Sequence, residues 1–217
     1  MSRPKLDGLF RRNRFRSGVL LAGLLLAVVW LSPSARAQDQ PRRVQGNEEV
    51  DPQTTTRVTL GGTSGTPGTS VVVPIYFTPA QNAEVGRLRL EVTYVSVNLK
   101  FSKLDTGIAA ELGNVDVHAE VRGGKTDRGL DTQTLTITAS FLSPEPPPKG
   151  IPPGLLAYIT LNIGQDGRPA SIGLRPTAEA TELRTNRPIQ NLRAFGTQVD
   201  VLAPGTQPLI SCFFFTH

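Results

Sequence analysis

Strict alternation of apolar and polar residues in three segments constrains the fold of this chain more than any other feature of its sequence. Within residues 88–94, 115–121 and 135–141, every second side chain is apolar and every side chain between is polar. A β-strand points successive side chains to opposite faces, so this period predicts strands with one buried face and one wet face. Burial on one side only is typical of antiparallel sheets.

Short β-branched runs separated by Gly, Pro, Asn and Asp continue this pattern. Further strands are predicted at residues 58–60, 70–78, 155–163, 171–174 and 198–202, while residues 176–193 are polar and ambiguous. Pro74 has no backbone donor, which predicts an edge strand or a bulge at that point. Six prolines between residues 143 and 153 cannot join a sheet and predict an exposed loop. The sequence therefore predicts an all-β sandwich or barrel.

The first 37 residues are predicted to be a secretory signal peptide. Four arginines between residues 11 and 16 precede an uncharged apolar stretch at residues 19–31, and Ala35 and Ala37 occupy the positions that a signal peptidase reads. The stretch has 13 residues, fewer than the roughly 17–25 of a membrane-spanning helix, so cleavage before Gln38 is favoured over an uncleaved anchor. We expect Sec export, an extracellular, cell-surface or periplasmic location, and no membrane span after cleavage.

Removal of that segment changes the charge of the protein. The full chain has 23 Lys and Arg against 18 Asp and Glu, and seven of the basic residues and one acidic residue precede Gln38. The remaining 16 basic and 17 acidic residues give a formal net charge of −1. The apparent basicity belongs to the export signal, so it does not indicate nucleic-acid binding. The single Cys predicts no internal disulfide, so the fold must depend on its apolar core.

Four blocks of sequence resemble, in order, the blocks of cohesin domains. Residues 65–74 (GTPGTSVVVP) are similar to a Pro-Gly turn that feeds a Val-rich strand ending in Pro, and residues 86–107 to an alternating strand ending in Tyr with a closing Gly. Residues 154–161 (GLLAYITL) resemble the later signature of Gly, an apolar pair and Ala, and residues 195–201 resemble the closing strand. The resemblance covers residues 57–203 and implies a jelly-roll-like antiparallel β-sandwich of about nine strands.

The cohesin resemblance implies a non-catalytic module that works by protein–protein contact, as a scaffold or adaptor linked by family association to extracellular polysaccharide degradation. Cohesins bind partners through one flat sheet face, and the comparable wet face here is the predicted partner-binding surface. It carries Arg87, Arg89, Glu91, His118, Glu120 and Thr136. Val95 stands where cohesins usually carry Asp, and Arg87 and Arg89 replace the amide or acidic residues of dockerin-binding cohesins. The expected partner is therefore a dockerin-like module or another surface protein.

No arrangement of residues in the sequence indicates catalysis, a metal or a cofactor. His118 shares its wet face with Asp116 and Glu120 but lacks both the converging ligands of a metal site and a nucleophile to activate, so it is interpreted as a surface histidine. Residues 164–167 (GQDG) lack the later carboxylates of a calcium loop and are interpreted as a turn. The acidic residues are scattered, without the paired carboxylates or nucleophile–base motif of a hydrolase.

Two alternatives to this function stay open. A carbohydrate-binding module of the same sandwich superfamily would stack sugars on exposed aromatic rings, and the only Trp lies in the signal peptide. Tyr94, Phe141 and Tyr158 fall on predicted inward positions, while one of the adjacent residues Tyr76 and Phe77 faces outward. A lone aromatic residue makes a poor platform, so polysaccharide is the second choice of ligand. The other alternative is a structural subunit of a surface assembly.

Two segments flank the predicted sandwich. Residues 38–56 are polar and are interpreted as a flexible lead-in. Residues 204–217 form a hydrophobic tail in which three consecutive Phe follow Cys212, the only Cys. This tail is too short to span a membrane, so it is either an extra edge strand or tucked segment, or a processing, anchoring or assembly tag. In the second case, Cys212 would form an intermolecular disulfide or carry a covalent attachment.

Overall fold

The computed structural model describes residue 51, residues 53–142 and residues 149–206. Every described residue belongs to one compact unit. The predicted signal peptide, Cys212 and most of the hydrophobic tail lie outside the described residues. Among the described residues, no helix is long and apolar enough to cross a membrane.

The described part of the chain folds into eleven strands and one short helix. The strands are β1 (Thr56–Leu60), β2 (Thr63–Gly65), β3 (Ser70–Thr78), β4 (Val85–Val95), β5 (Leu99–Thr106), β6 (Val115–Lys125), β7 (Asp131–Phe141), β8 (Gly154–Ile163), β9 (Ala170–Glu182), β10 (Leu192–Phe195) and β11 (Thr197–Val201). The helix, α1, covers Ile108–Leu112 between β5 and β6.

Two sheets pack against each other as a sandwich. The five-stranded sheet has the order β10-β1-β3-β8-β5, and the six-stranded sheet has the order β2-β11-β9-β4-β7-β6. The strand pairs are antiparallel except β1 with β10 and β2 with β11, which are parallel. The predicted all-β sandwich is confirmed, with eleven strands in place of about nine. Strands β2, β5 and β10 lie outside the eight segments in which the sequence predicts strands.

The core lies between the sheets and is built by the alternating strands. In β4, Leu88, Leu90 and Val92 are each at most 1% exposed, which confirms the alternation predicted for that segment. The apolar side of β6 is less protected, since Val115 is 3% exposed but Val121 is 42% exposed. Because β6 is the edge strand of its sheet, its far end lacks cover from the opposite sheet.

Glycines lie at both points where the chain crosses from one sheet to the other, Gly61 and Gly62 between β1 and β2 and Gly196 between β10 and β11. Residues 56–65 form β1 in the five-stranded sheet and β2 in the six-stranded sheet, and residues 192–201 cross beside them as β10 and β11. At the second crossing, a Cβ on Gly196 would lie 2.6 Å from the backbone oxygen of Leu174. A side chain there would force the backbone apart. The parallel pairs arise because both segments run in the same direction and change sheet together.

Pro74 lies inside the five-stranded sheet, since β3 pairs with β1 on one side and β8 on the other. Its carbonyl accepts a hydrogen bond from the Gly61 backbone nitrogen at 2.8 Å, just beyond the end of β1. The backbone nitrogen and oxygen of one residue in an antiparallel strand face the same neighbouring strand. The nitrogen of Pro74, which has no hydrogen to donate, therefore faces a position beyond the end of β1. A register shift between Ile75 and Tyr76 confirms the bulge prediction one residue beyond Pro74, and the pairing of β3 with both β1 and β8 excludes the edge-strand alternative.

Strand β9 is much longer than its sequence predicts. The sequence predicts a short strand at residues 171–174, whereas β9 covers thirteen residues and includes the first seven residues of the ambiguous stretch 176–193. Its inward positions beyond Leu174 are Pro176, Ala178 and Ala180, which give a weak apolar signal. β9 pairs with β11 only as far as Leu174. Pro176 lies beyond that residue, so it interrupts the pairing of β9 on one side only, and β9 continues beside β4.

The proline-rich connection between β7 and β8 is only partly an exposed loop. Residues 143–148 lie outside the described residues, but Ile151 is 1% exposed and belongs to the core. Its backbone nitrogen donates to the Val85 carbonyl at 2.8 Å. The prediction of exposure is wrong for this residue, because a single large apolar side chain among prolines is enough to anchor the segment.

Candidate functional site

The outer surface of the six-stranded sheet brings together the six residues predicted to bind a partner. Side chains alternate along each strand, so the outward positions of β9, β4, β7 and β6 form one surface, which we call the charged face. Its members are Arg175, Thr177, Glu179 and Thr181 of β9; Arg87, Arg89, Glu91 and Thr93 of β4; Thr134, Thr136, Thr138 and Ser140 of β7; and Asp116, His118, Glu120 and Arg122 of β6.

The strand register arranges these side chains in rows that cross the sheet. Three rows running from β4 through β7 to β6 are Arg87–Ser140–Asp116, Arg89–Thr138–His118 and Glu91–Thr136–Glu120. Directly opposed residues in antiparallel strands have Cβ atoms about 4.5–5.5 Å apart. All six predicted residues therefore lie on three adjacent strands, in three successive rows of one continuous surface.

Charge is unevenly distributed over the charged face. Arg87 and Arg89 make β4 basic, whereas Asp116 and Glu120 make β6 acidic, and the threonines of β7 separate the two strips. Arg89 Nη2 lies 2.6 Å from Glu91 Oε1, and these side chains are 46% and 41% exposed. Exposed ion pairs contribute little to stability, so these groups can exchange partners at low cost. Arg87 forms no salt bridge with any described residue.

Thr136 differs from the other five predicted residues because it is buried. Thr136 and Thr138 are each 8% exposed although both point outward. The longer side chains of β4 and β6 flank them on both sides and cover them. A partner would therefore touch the charged side chains first, and the hydroxyl groups of β7 form the floor beneath.

Strand β9 adds residues to the charged face that the sequence prediction did not include. Arg175 lies opposite Thr93, Glu179 opposite Arg89, and Thr181 opposite Arg87. The sequence does not place these positions on the charged face because it predicts a strand that ends at residue 174. Alternation of polar with small apolar residues over 175–181 is the signal that could have shown them.

His118 is exposed on the charged face, as predicted. Its Nδ1 lies 3.3 Å from Asp116 Oδ2, and its side chain is 53% exposed. Among the described residues, no three His, Cys, Asp or Glu side chains are grouped closely enough to hold a metal ion. Residues 164–167 form the predicted turn, in which the Gly167 nitrogen donates to the Gly164 carbonyl at 3.0 Å.

A cavity of about 490 Å³ opens between the β3–β4 connection and the β9–β10 connection. Two carboxylates line it, Glu84 and Glu182. Glu84 Oε2 accepts a hydrogen bond from Arg184 Nε at 2.9 Å, and Glu182 accepts one from Thr185 Oγ1. Because both carboxylates already accept local hydrogen bonds, the cavity does not present an uncommitted acid–base pair.

We call the outer surface of the five-stranded sheet the aromatic face, because it carries the aromatic side chains of Tyr76, Tyr158 and Phe195. Tyr94 is 3% exposed and faces inward as predicted, and Phe77 is fully buried while Tyr76 faces outward. The prediction that only one aromatic residue faces outward is therefore wrong.

Tyr158 accounts for most of this difference. It is half-buried on the outer side of β8, opposite Pro74, and between the buried residues Ala157 and Ile159. The bulge in the β3–β8 pairing leaves Leu156 without a directly paired residue, and both Leu156 and Ala157 are buried. Strict alternation counted from the start of β8 would therefore place Tyr158 on the inner side of the sheet, whereas it lies on the outer side.

Comparisons by sequence and by structure give different results. No protein-family model matches the chain, and no curated protein matches it in sequence. Solved structures do match. The seventh ScaB type I cohesin from Pseudobacteroides cellulosolvens superimposes with a TM-score of 0.51 at 19% identity, over 74% of this chain and 99% of that one.

Two structures of complexes match equally well. The third cohesin ScaC, in complex with the ScaB dockerin from Acetivibrio cellulolyticus, gives a TM-score of 0.52 at 17% identity, over 69% of this chain and 100% of that one. The Coh-OlpA-Doc918 complex, a type I cohesin–dockerin complex from Clostridium thermocellum, gives 0.52 at 11% identity, over 68% and 99%. The chain thus has a cohesin-like jelly-roll fold, as the four sequence blocks predicted.

Proposed function

We propose that this protein is an exported, non-catalytic binding module that captures a protein partner through the charged face. The observation that carries this proposal is the convergence of the predicted residues on one continuous sheet surface of a cohesin-like fold. Two of the similar structures are cohesins in complex with dockerins, which supports a protein partner for this fold. The role that fits is a scaffold or adaptor.

The charged face favours a partner of complementary polarity. A surface with acidic groups over β4 and basic groups over β6 would meet Arg87 and Arg89 on one side and Asp116 and Glu120 on the other. Complementary charge speeds association and excludes wrongly oriented partners. A dockerin-like module with that pattern is the first candidate, and another surface protein is the second.

The proposed setting is outside the cytoplasm, on the cell surface or in the surrounding medium. The basic, apolar and small-residue order of residues 1–37 supports export. Participation in extracellular polysaccharide degradation is the finer part of the proposal, and the cohesin-like fold supports it by association alone. A subunit of a surface assembly would have the same export route and would bind a second copy of itself.

Capture of exported host proteins by the purified, immobilised protein tests this function. The double variant Arg87→Glu and Arg89→Glu should capture at least tenfold less of the partner that the wild-type protein captures. Like charges across an interface cost several kcal/mol, and a tenfold change in affinity corresponds to about 1.4 kcal/mol. Its melting temperature should stay close to that of the wild type, since both side chains lie on the wet side of β4.

The matched control is Lys100→Glu with Lys103→Glu on β5 of the other sheet, which makes the same change in net charge. Capture by this control should equal capture by the wild type. Equal loss in both variants would show that only the overall charge matters, and no loss in either would move the interface elsewhere. Binding of further copies of the protein alone would favour the assembly-subunit alternative.

A further inference from the structure

Two arginines lie directly opposite each other on the aromatic face, an arrangement that the fold itself does not require. Arg57 of β1 pairs in register with Arg193 of the parallel strand β10. Like charges directly opposed across two strands are destabilising. Neither guanidinium forms a salt bridge with a described residue, and the buried Nε of Arg57 has no hydrogen-bond partner among them. A bound anion would remove this repulsion.

Aromatic rings occupy the neighbouring row of the same surface. Phe195 lies opposite Thr59, which lies opposite Tyr76, so this row crosses three strands. Tyr158 is diagonal to Tyr76, because it pairs with Pro74, two residues earlier on β3. Adjacent strands are about 4.8 Å apart and successive rows on one face about 6.6 Å, so rings and guanidinium groups lie within one extended ligand's reach.

The aromatic face is basic although the chain from Gln38 onward is not. Its outward positions carry four cations, Arg57, Arg193, Lys100 and Lys103, against one carboxylate, Asp105. Lys103 Nζ lies 2.9 Å from Asp105 Oδ2, so this carboxylate is shared with the nearest cation. The surface therefore combines positive charge with flat apolar rings.

We propose that the aromatic face binds an acidic polysaccharide, a polymer of uronic acid units. The flat apolar side of a pyranose ring would stack on Tyr158 and on the Phe195 row, and the sugar carboxylates would accept hydrogen bonds from Arg57 and Arg193. Arginine suits this role because its planar fork matches a carboxylate. The site lies on the opposite sheet from the charged face, so it is independent of the proposed protein-binding function.

Chemistry favours an acidic glycan over the other polyanions and over neutral glucans. Nucleic-acid binding depends on many phosphate contacts, whereas the described outward positions of the aromatic face carry four cations and only Arg57 and Arg193 share a row. A lipid surface would need apolar side chains that protrude, but the rings here are half-buried within the sheet. A neutral glucan would leave the opposed arginines without a counter-charge.

Affinity electrophoresis in native gels containing polygalacturonate tests this site with the full purified protein. We expect concentration-dependent retardation that weakens as salt is raised. The variant Arg57→Gln with Arg193→Gln should bind about tenfold to a hundredfold more weakly, the effect of losing one or two charged hydrogen bonds. Tyr158→Ala should also weaken binding. Because the double variant removes an opposed like-charge pair, its melting temperature should equal or exceed that of the wild type.

A matched control removes two arginines from the charged face, Arg89→Gln with Arg175→Gln, and its retardation should stay within twofold of the wild type. Absence of retardation of the wild-type protein would overturn the proposal, as would equal weakening in the control. Retardation by neutral β-glucan that survives Arg57→Gln with Arg193→Gln would also overturn it, as would stronger retardation by single-stranded DNA.

The lead-in provides one more outcome, since it contains Glu48 and Glu49, which precede the first residue of β1 by eight and seven positions in the sequence. If Glu48→Gln with Glu49→Gln lowers the melting temperature and the arginine variant lowers it equally, the arginines serve the protein's own carboxylates. That result would contradict the proposal. Failure of this site would leave capture through the charged face untouched, because the two tests use variants on different sheets.

Discussion

Replacement of Tyr94 by Phe should change stability in opposite directions at neutral and alkaline pH. The ring is 3% exposed, and its hydroxyl donates a hydrogen bond to Gln133 Oε1 at 2.6 Å. The Phe101 backbone nitrogen donates to the same oxygen at 3.2 Å, so this contact joins β4, β7 and β5 across the two sheets. Phe keeps the packing and removes only the hydroxyl group, at a cost of about 1 kcal/mol near pH 7.

Alkaline pH should cancel that cost. Burial raises the pKa of the Tyr94 phenol well above its ordinary value of 10.0, and a hydrogen bond with the Phe101 backbone offsets this only in part. The unfolded phenol loses its proton as pH rises past 10, whereas the folded phenol keeps its proton. Stability from this group is therefore fully present below pH 10 and falls above it, by about 1.4 kcal/mol at pH 11.

Urea denaturation followed by far-ultraviolet circular dichroism at pH 7, 9 and 11 measures this effect. The other titrating groups are common to both proteins and cancel in the difference. Tyr94→Phe should be less stable than the wild type at pH 7 and 9, and equal to it or more stable at pH 11. A constant difference of about 1 kcal/mol at all three pH values would refute the reasoning, because it would mean that the phenol ionises equally in the folded protein.

Three substitutions test other parts of the structure by the same denaturation assay. Gly196→Ala should destabilise by about 1–3 kcal/mol, since its Cβ would meet the Leu174 carbonyl, whereas Gly173→Ala, with open space around it, should have little effect; similar costs for both would contradict the sheet crossing. Ile151→Ala should cost about 2–5 kcal/mol, and a loss below 1 kcal/mol would show that the proline-rich connection is not anchored. His118→Ala should change stability by at most about 0.5 kcal/mol, and a larger loss would show a structural role.

The strands that can be predicted well from the sequence are those whose side chains alternate without interruption. In residues 88–94 of β4 and 135–141 of β7, apolar residues occupy every inward position, so period and burial agree. The charged face follows directly, because the outward residues of a correctly phased strand must share a surface. The sequence does not predict which residues of the charged face are buried, since the burial of Thr136 depends on long side chains from neighbouring strands.

The features that sequence missed depend on contacts between distant segments. The β8 bulge reverses the phase of Tyr158, and only the pairing with β3 reveals it. Strand β9 presents Ala178 and Ala180 to the core, and such small residues give little periodic signal until β4 pairs with them. The parallel pairing of Arg57 with Arg193 joins residues 136 positions apart (193 − 57), so no local pattern could place them together.

Chemical footprinting of His118 tests the central claim most directly. The chain has two histidines, His118 near the middle of the charged face and His217 in the hydrophobic tail. Diethyl pyrocarbonate modification can therefore be assigned to each by peptide mass. Bound partner should slow modification of His118 strongly and leave the reactivity of Lys103 on the opposite sheet unchanged. Unchanged modification of His118 in the saturated complex would show that the charged face is not the partner-binding surface.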